Sequence, residues 1–112
     1  MDIIKYEEKR TLIKKVVKQK LNITLVEIVI LDKIAEINKT CIEASELKKS
    51  LHNKNTPISS QLSNLISLKL LKKERDSHDE RRIYLYDIDL AGINKILQQY
   101  HSIVSKLIAA TV

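Results

Sequence analysis

Apolar residues recur along this chain with two different periods, and the changes of period mark its elements. Residues 3–20 carry Ile3, Ile4, Leu12, Ile13, Val16 and Val17, with Leu21 following, and the lysines fall on the other side. The 12-13-16-17 spacing predicts an amphipathic helix. Thr24-Leu25-Val26-Glu27 then stands before an apolar run as a capping box, in which hydroxyl and carboxylate satisfy first-turn amides, so a second helix is predicted to about Asn38. Residues 43–52 predict a short helix through Leu47 and Leu51 at i, i+4. Thr56-Pro57 opens a fourth helix to about Leu70, with Thr as cap and Pro where a missing N–H costs nothing. Leu71–Arg75 and Arg82–Asp87 are strand-like and flank a charged loop, which predicts a hairpin with a long tip. From Leu90, the positions Ile93, Ile96, Leu97, Tyr100, Ile103, Val104, Leu107 and Ile108 keep helical spacing without a break.

That order predicts a mostly α chain with a small β-hairpin (α+β), a winged helix-turn-helix. A length of 112 residues fits one domain, 1–112,. Its helix-turn-helix and wing would occupy 43–87, and its terminal helices 1–21 and 90–112. One glycine and one proline exclude the P-loop and the G-x-G-x-x-G fingerprint, each of which needs at least two glycines.

Net charge is +6, and the pI of about 9.4 fits a polyanionic partner such as nucleic acid. Charge carried only for solubility is the alternative. The excess is uneven. Residues 1–20 hold seven basic and three acidic side chains, residues 69–82 six and four, and the last 23 residues only Lys95 and Lys106. A single cysteine, Cys41, excludes an internal disulfide and fits a reducing compartment. The N-terminus lacks the long apolar stretch of a signal peptide, and no run nears 18 apolar residues,. A cytoplasmic protein with no membrane association is expected.

The helix predicted over 57–70 is the first candidate for chemistry. Ile58, Leu62, Leu65 and Ile66 share one face; Thr56, Ser60, Ser63, Asn64 and Ser67 take the opposite one, with Ser59 and Gln61 on the flanks. No acid occurs between 55 and 68. A solvent-facing helix usually carries Lys and Glu there, whereas a short neutral face can approach phosphates and offer hydrogen bonds to base edges. A merely serine-rich exposed surface is the bland alternative. Without Arg or Lys on this face the bidentate guanine contact is lacking, so base readout is expected to be modest.

The second candidate is Lys72-Lys73-Glu74-Arg75-Asp76-Ser77-His78-Asp79-Glu80-Arg81-Arg82. A tip this polar cannot be core. Acids among the arginines can hold guanidinium groups in a fixed pose, and an oriented Arg suits the minor groove, where negative potential is focused. By composition alone, a solvated charged turn is the favoured explanation.

Arg75-Asp76-Ser77-His78-Asp79-Glu80-Arg81 resembles the R-x-x-x-D-E-R wing signature of the SarA subfamily of MarR-type winged-helix regulators. The match is specific over about 65–86, and the element order extends it over nearly the whole chain. The resemblance implies a homodimer paired through the first and last helices, a recognition helix in the major groove and a wing in the minor groove. Residues 57–70 match the recognition helix, and Arg75, Asp79, Glu80 and Arg81 match the wing. Lys69 stands about where many members have glycine. Cys41 follows the second helix, whereas redox-sensing members carry cysteine in the first, so thiol sensing does not carry over.

On these grounds Lys54, Thr56, Ser59, Ser60, Gln61, Ser63, Asn64, Lys72, Arg75, His78, Arg81 and Arg82 are the expected DNA contacts, with Asp79 and Glu80 orienting the wing arginines. Ile4, Leu12, Ile13, Val16, Ile96, Leu97, Tyr100, Val104, Leu107 and Ile108 are the expected dimer interface, because helices of about 30 Å outrun what one small domain covers. Core packing is the competing use, and part of each stripe must serve it. His52, His78, His101 and Cys41 show no ligand spacing, so neither metal, cofactor nor catalysis is expected. Tyr84 and Tyr86 could stack single-stranded bases, but packing of the hairpin explains them better. The residues name no small-molecule effector. The expected function is a transcriptional regulator of double-stranded, AT-rich DNA. The alternatives are a DNA-coating maintenance protein of the same fold and a protein–protein module.

Overall fold

The chain contains one glycine, so its tight reversals fall to other residues. The computed structural model describes residues 3–51, 58–79 and 81–109. Its elements are α1 (Ile3–Leu21), α2 (Leu25–Ile37), β1 (Ile42–Glu43), α3 (Ala44–Ser50), α4 (Ser59–Ser67), β2 (Lys72–Arg75), β3 (Ile83–Tyr86) and α5 (Leu90–Ala109). Asn22, Asn38, Lys69 and Asp87 all adopt positive φ, between 50° and 64°. Asn and Asp tolerate that region because their short polar side chains bond locally; lysine does not share the advantage. The first two follow α1 and α2 directly and stop them.

The capping box predicted at Thr24 is present. Thr24 N donates to Glu27 Oε1 at 2.8 Å and Glu27 N to Thr24 Oγ1 at 3.3 Å. An unpredicted cap starts α5, where Gly92 N donates to Asp89 Oδ1 at 2.9 Å. The fourth helix is shorter than its apolar spacing predicts. Ile58 holds the N-cap position, without a side-chain cap bond, and the expected Thr56-Pro57 opening lies outside the described residues. Ile58 is buried in the core. At the other end Lys69 N donates to Ile66 O (2.9 Å) and Leu70 N to Leu65 O (3.2 Å), a Schellman closure with Lys69 at the left-handed position. Leu65 and Leu70 are both buried and complete its hydrophobic contact.

The hairpin carries a third, unpredicted strand. In the order β1-β3-β2, all antiparallel, Ile42 pairs with Leu85 and Glu43 with Tyr84. Two residues are too short to leave a periodic signature, and only docking onto β3 makes them a strand. The core gathers Val17, Ile23, Ile28, Ile30, Leu31, Ile34, Leu47, Leu62, Leu65, Leu71, Leu85 and Ile93 from every helix and from the sheet. The molecule measures 55 × 28 × 21 Å with a radius of gyration of 15.7 Å, against about 13 Å for a compact chain of this length. The two longest helices, α1 and α5, pack on each other.

Candidate nucleic-acid interface

Leu62 and Leu65 anchor α4 in the core, with Ile66 half-buried beside them. That leaves Ser59, Ser60, Ser63 and Ser67 exposed and Gln61 half-buried. The hydroxyls are engaged close to home. Ser63 Oγ donates to Ser59 O at 3.0 Å, Ser67 Oγ to Asn64 O at 2.7 Å and Ser60 Oγ to Gln61 Oε1 at 3.4 Å. A back-bonded hydroxyl keeps its lone pairs, so this face offers acceptors and no charge.

Asn64 departs from the expected surface. Its Nδ2 donates to both carboxylate oxygens of Glu27, at 2.9 and 3.0 Å, and reaches Asn22 O at 3.5 Å. The expectation of an outward-facing Asn64 is therefore corrected: its donor is committed inside the molecule, because Glu27 is buried and needs it,. Glu27 drew notice in the sequence only as a capping residue. Nothing in the spacing pairs residues 27 and 64.

The wing is built by its acids. Asp76 Oδ1 accepts His78 N at 2.8 Å and its Oδ2 accepts Tyr84 OH at 3.4 Å, while Asp76 N donates to Arg82 O at 2.9 Å and closes the hairpin. The His78 N–H above all holds the Asp76 carboxyl below its ordinary 3.8. Loss of solvent around Tyr84, together with Asp76 and Glu43 nearby, pushes that phenol up. Asp79 Oδ1 accepts both Arg81 N (3.1 Å) and Arg81 Nε (3.3 Å), yet the Arg81 side chain is 92% exposed. Arg82 turns the other way, its Nη2 3.5 Å from Glu43 Oε1, whose Oε2 accepts Ser45 Oγ at 3.1 Å. Lys72 Nζ lies 3.2 Å from Asp87 Oδ2. Exposed pairs of this kind contribute about 0–1 kcal/mol, so a phosphate can replace the acid. Arg75 and His78 are exposed. Asp76 is the wing residue that sequence reasoning passed over, although an Asp two residues before a polar turn position is an Asx-turn signal. Lys54, Thr56, Glu80 and the side chain of Ile4 lie outside the described residues.

The terminal stripes divide between two uses. Leu97 belongs to the core of its own chain, and Ile13, Ile96 and Tyr100 pack against that core, so these four carry the intramolecular share of the stripes. Val16, Val104 and Leu107 are half-buried, whereas Leu12 and Ile108 stay 44% and 49% exposed. Val26 and Val29 of α2 are also exposed. Among the described residues no group of three His, Cys, Asp or Glu could hold a metal, and no helix is long and apolar enough to cross a membrane.

The sequence profile of the family described as Transcriptional regulator SarA/Rot matches residues 12–98, which runs from α1 through the wing into α5. The chain belongs to the SarA/Rot family of transcriptional regulators. A search of curated proteins finds no match. Among solved structures, a mutant of MepR from S. aureus is similar at 21% identity and a TM-score of 0.72, covering 96% of this chain and 76% of that one. AbsC, a MarR family transcriptional regulator from Streptomyces coelicolor, is similar at 17% identity and a TM-score of 0.64, with the same coverage. A mutant of MarR from E. coli, complexed with operator DNA, is similar at 24% identity and a TM-score of 0.60, covering 91% and 70%. At such identities the likeness establishes the fold: this SarA/Rot member is a winged helix of the MarR type.

Proposed function

We propose that this SarA/Rot protein binds double-stranded, AT-rich DNA as a cytoplasmic homodimer and thereby regulates transcription. In this reading α4 enters the major groove and the wing tip, residues 76–82, enters the minor groove. The observation that carries it is Arg81, exposed at the hairpin tip while Asp79 holds both its backbone N–H and its guanidinium. A solvated Asx turn accounts for the backbone bond; the added bond from Arg81 Nε orients the guanidinium, which suits an arginine presented to a narrow minor groove. The neutral α4 face supports the same reading, since it repels neither phosphate nor base. The E. coli relative crystallised with operator DNA shares the fold. Leu12 and Ile108 supply the argument for the dimer, as each is a large apolar side chain left open on the stripe of a long helix that one chain only partly covers,.

Anisotropy titrations on AT-rich and GC-rich duplexes between about 50 and 200 mM salt test the proposal. Tight, steeply salt-dependent binding with an AT preference is expected. Affinity indifferent to salt would favour the protein–protein module, and clustered rather than promoter-proximal genomic sites would favour the coating protein.

A further inference from the structure

Glu27 is the one buried charged side chain among the described residues, 3% exposed, and it takes part in none of their ion pairs. Burying a carboxylate without a cation is costly unless hydrogen bonds and dipoles replace water. Here they do. Oε1 accepts Thr24 N at 2.8 Å and Asn64 Nδ2 at 2.9 Å, and Oε2 accepts the same Nδ2 at 3.0 Å. The carboxylate also sits in the first turn of α2, at the positive end of its dipole.

A capping box needs only the first of these bonds. The other two come from the middle of α4, 37 residues away in sequence, and a third acceptor, Asn22 O, lies 3.5 Å from the same nitrogen at the end of α1. Asn64 is thus the place where α4 is gripped by a polar, directional contact. Leu62 and Leu65 hold the helix by burial, and burial fixes which face turns inward while tolerating small rotations about the helix axis, because it is non-directional. A hydrogen-bonded amide does not.

We propose that Glu27 is a positioning residue for base readout: its clamp on Asn64 sets the rotation of α4, and so determines which edge of the groove Ser60, Ser63 and Ser67 meet. The inference rests on the DNA-binding reading above and adds to it a residue that touches no DNA. A clamp of this kind governs discrimination between sequences and leaves the nonspecific phosphate contribution nearly intact, because that contribution depends on charge rather than on orientation.

The test uses the full chain and two duplexes: one enriched from a random pool by the wild-type protein, and a scrambled duplex of the same composition. Asn64→Ala and Glu27→Gln should each lower the selected-to-scrambled affinity ratio about tenfold while scrambled binding stays within about twofold. The exchange Glu27→Gln with Asn64→Asp keeps the total charge and reverses the donor and acceptor. It should restore the ratio, although the displaced charge weakens binding to both duplexes alike. Asn64→Ala deprives the buried Glu27 carboxylate of its amide donor, whereas Glu27→Gln removes the charge itself, so either remains informative if the other unfolds; thermal melts identify which variants are folded. Equal loss on both duplexes, an unchanged ratio, or an exchange that fails to recover would overturn the clamp. A wild-type chain that enriches no duplex would overturn the DNA-binding reading and the clamp with it.

Discussion

Asp79 and Arg81 pose the sharpest question at the scale of single residues. An acid beside a polyanion should weaken binding, so simple electrostatics has Asp79→Ala bind more tightly. The bonds from Arg81 N and Nε to Asp79 Oδ1 argue the reverse, because a freed guanidinium must be ordered anew on binding. Arg81→Ala is expected to cost about 1–3 kcal/mol of binding and to flatten the AT preference. Asp79→Ala is expected to weaken binding as well, with anisotropy on one AT-rich duplex as the measurement. Equal or tighter binding by Asp79→Ala would reduce the wing to a solvated turn. Lys69 makes a separate point. It holds the left-handed Schellman position at φ 64°, where a β-carbon costs about 1 kcal/mol. Lys69→Gly should therefore raise the urea midpoint by a margin equivalent to roughly 1 kcal/mol.

The caps settle where elements begin, and burial settles where they must yield. Thr24 and Asp89 start α2 and α5 through side-chain acceptors, and their hydrogen bonds share no partner. Thr24→Ala and Asp89→Ala should each lower unfolding free energy by about 1 kcal/mol, and the double variant by about their sum. Denaturant titration followed by circular dichroism measures both. A marked excess at Thr24 alone would mean that loss of the cap also disturbs Glu27, whose Oε1 binds Thr24 N. At this scale the sequence was most legible in α1, α2 and α5, whose periodicity is local, as is the capping box of α2. It was least legible in β1, a pair of residues that become a strand only against Leu85 and Tyr84, and at the start of α4, where the core takes Ile58.

For the whole molecule, the open question is how much of α1 and α5 one chain can cover. Ile13, Ile96, Leu97 and Tyr100 are occupied by the core or its edge, so substitutions there would damage the fold before they reported on assembly. Leu12 is the cleaner probe because it is 44% exposed. In a monomer Leu12→Glu should be close to neutral, as surface substitutions are. In a dimer that buries this stripe it should shift the wild-type symmetric dimer toward monomer and lower stability through lost association. Sedimentation equilibrium at low micromolar concentration reads the outcome, and a folded wild-type monomer there would end the dimer proposal.

Local physics carried the sequence a long way. Helical period, capping boxes and the mixed-charge signature from Arg75 to Arg81 are short-range facts, and they determined the element order, the winged-helix class and the place of the wing. What they could not contain is any relation whose energy depends on distant residues meeting. The Glu27–Asn64 clamp, the Arg82–Glu43 tie from wing to β1 and the division of the α5 stripe between core and surface all belong to that class. A carboxylate at residue 27 reads as a cap in any helix. Only the packing of α4 against α2 buries it, and burial is what obliges it to take Asn64 as its partner.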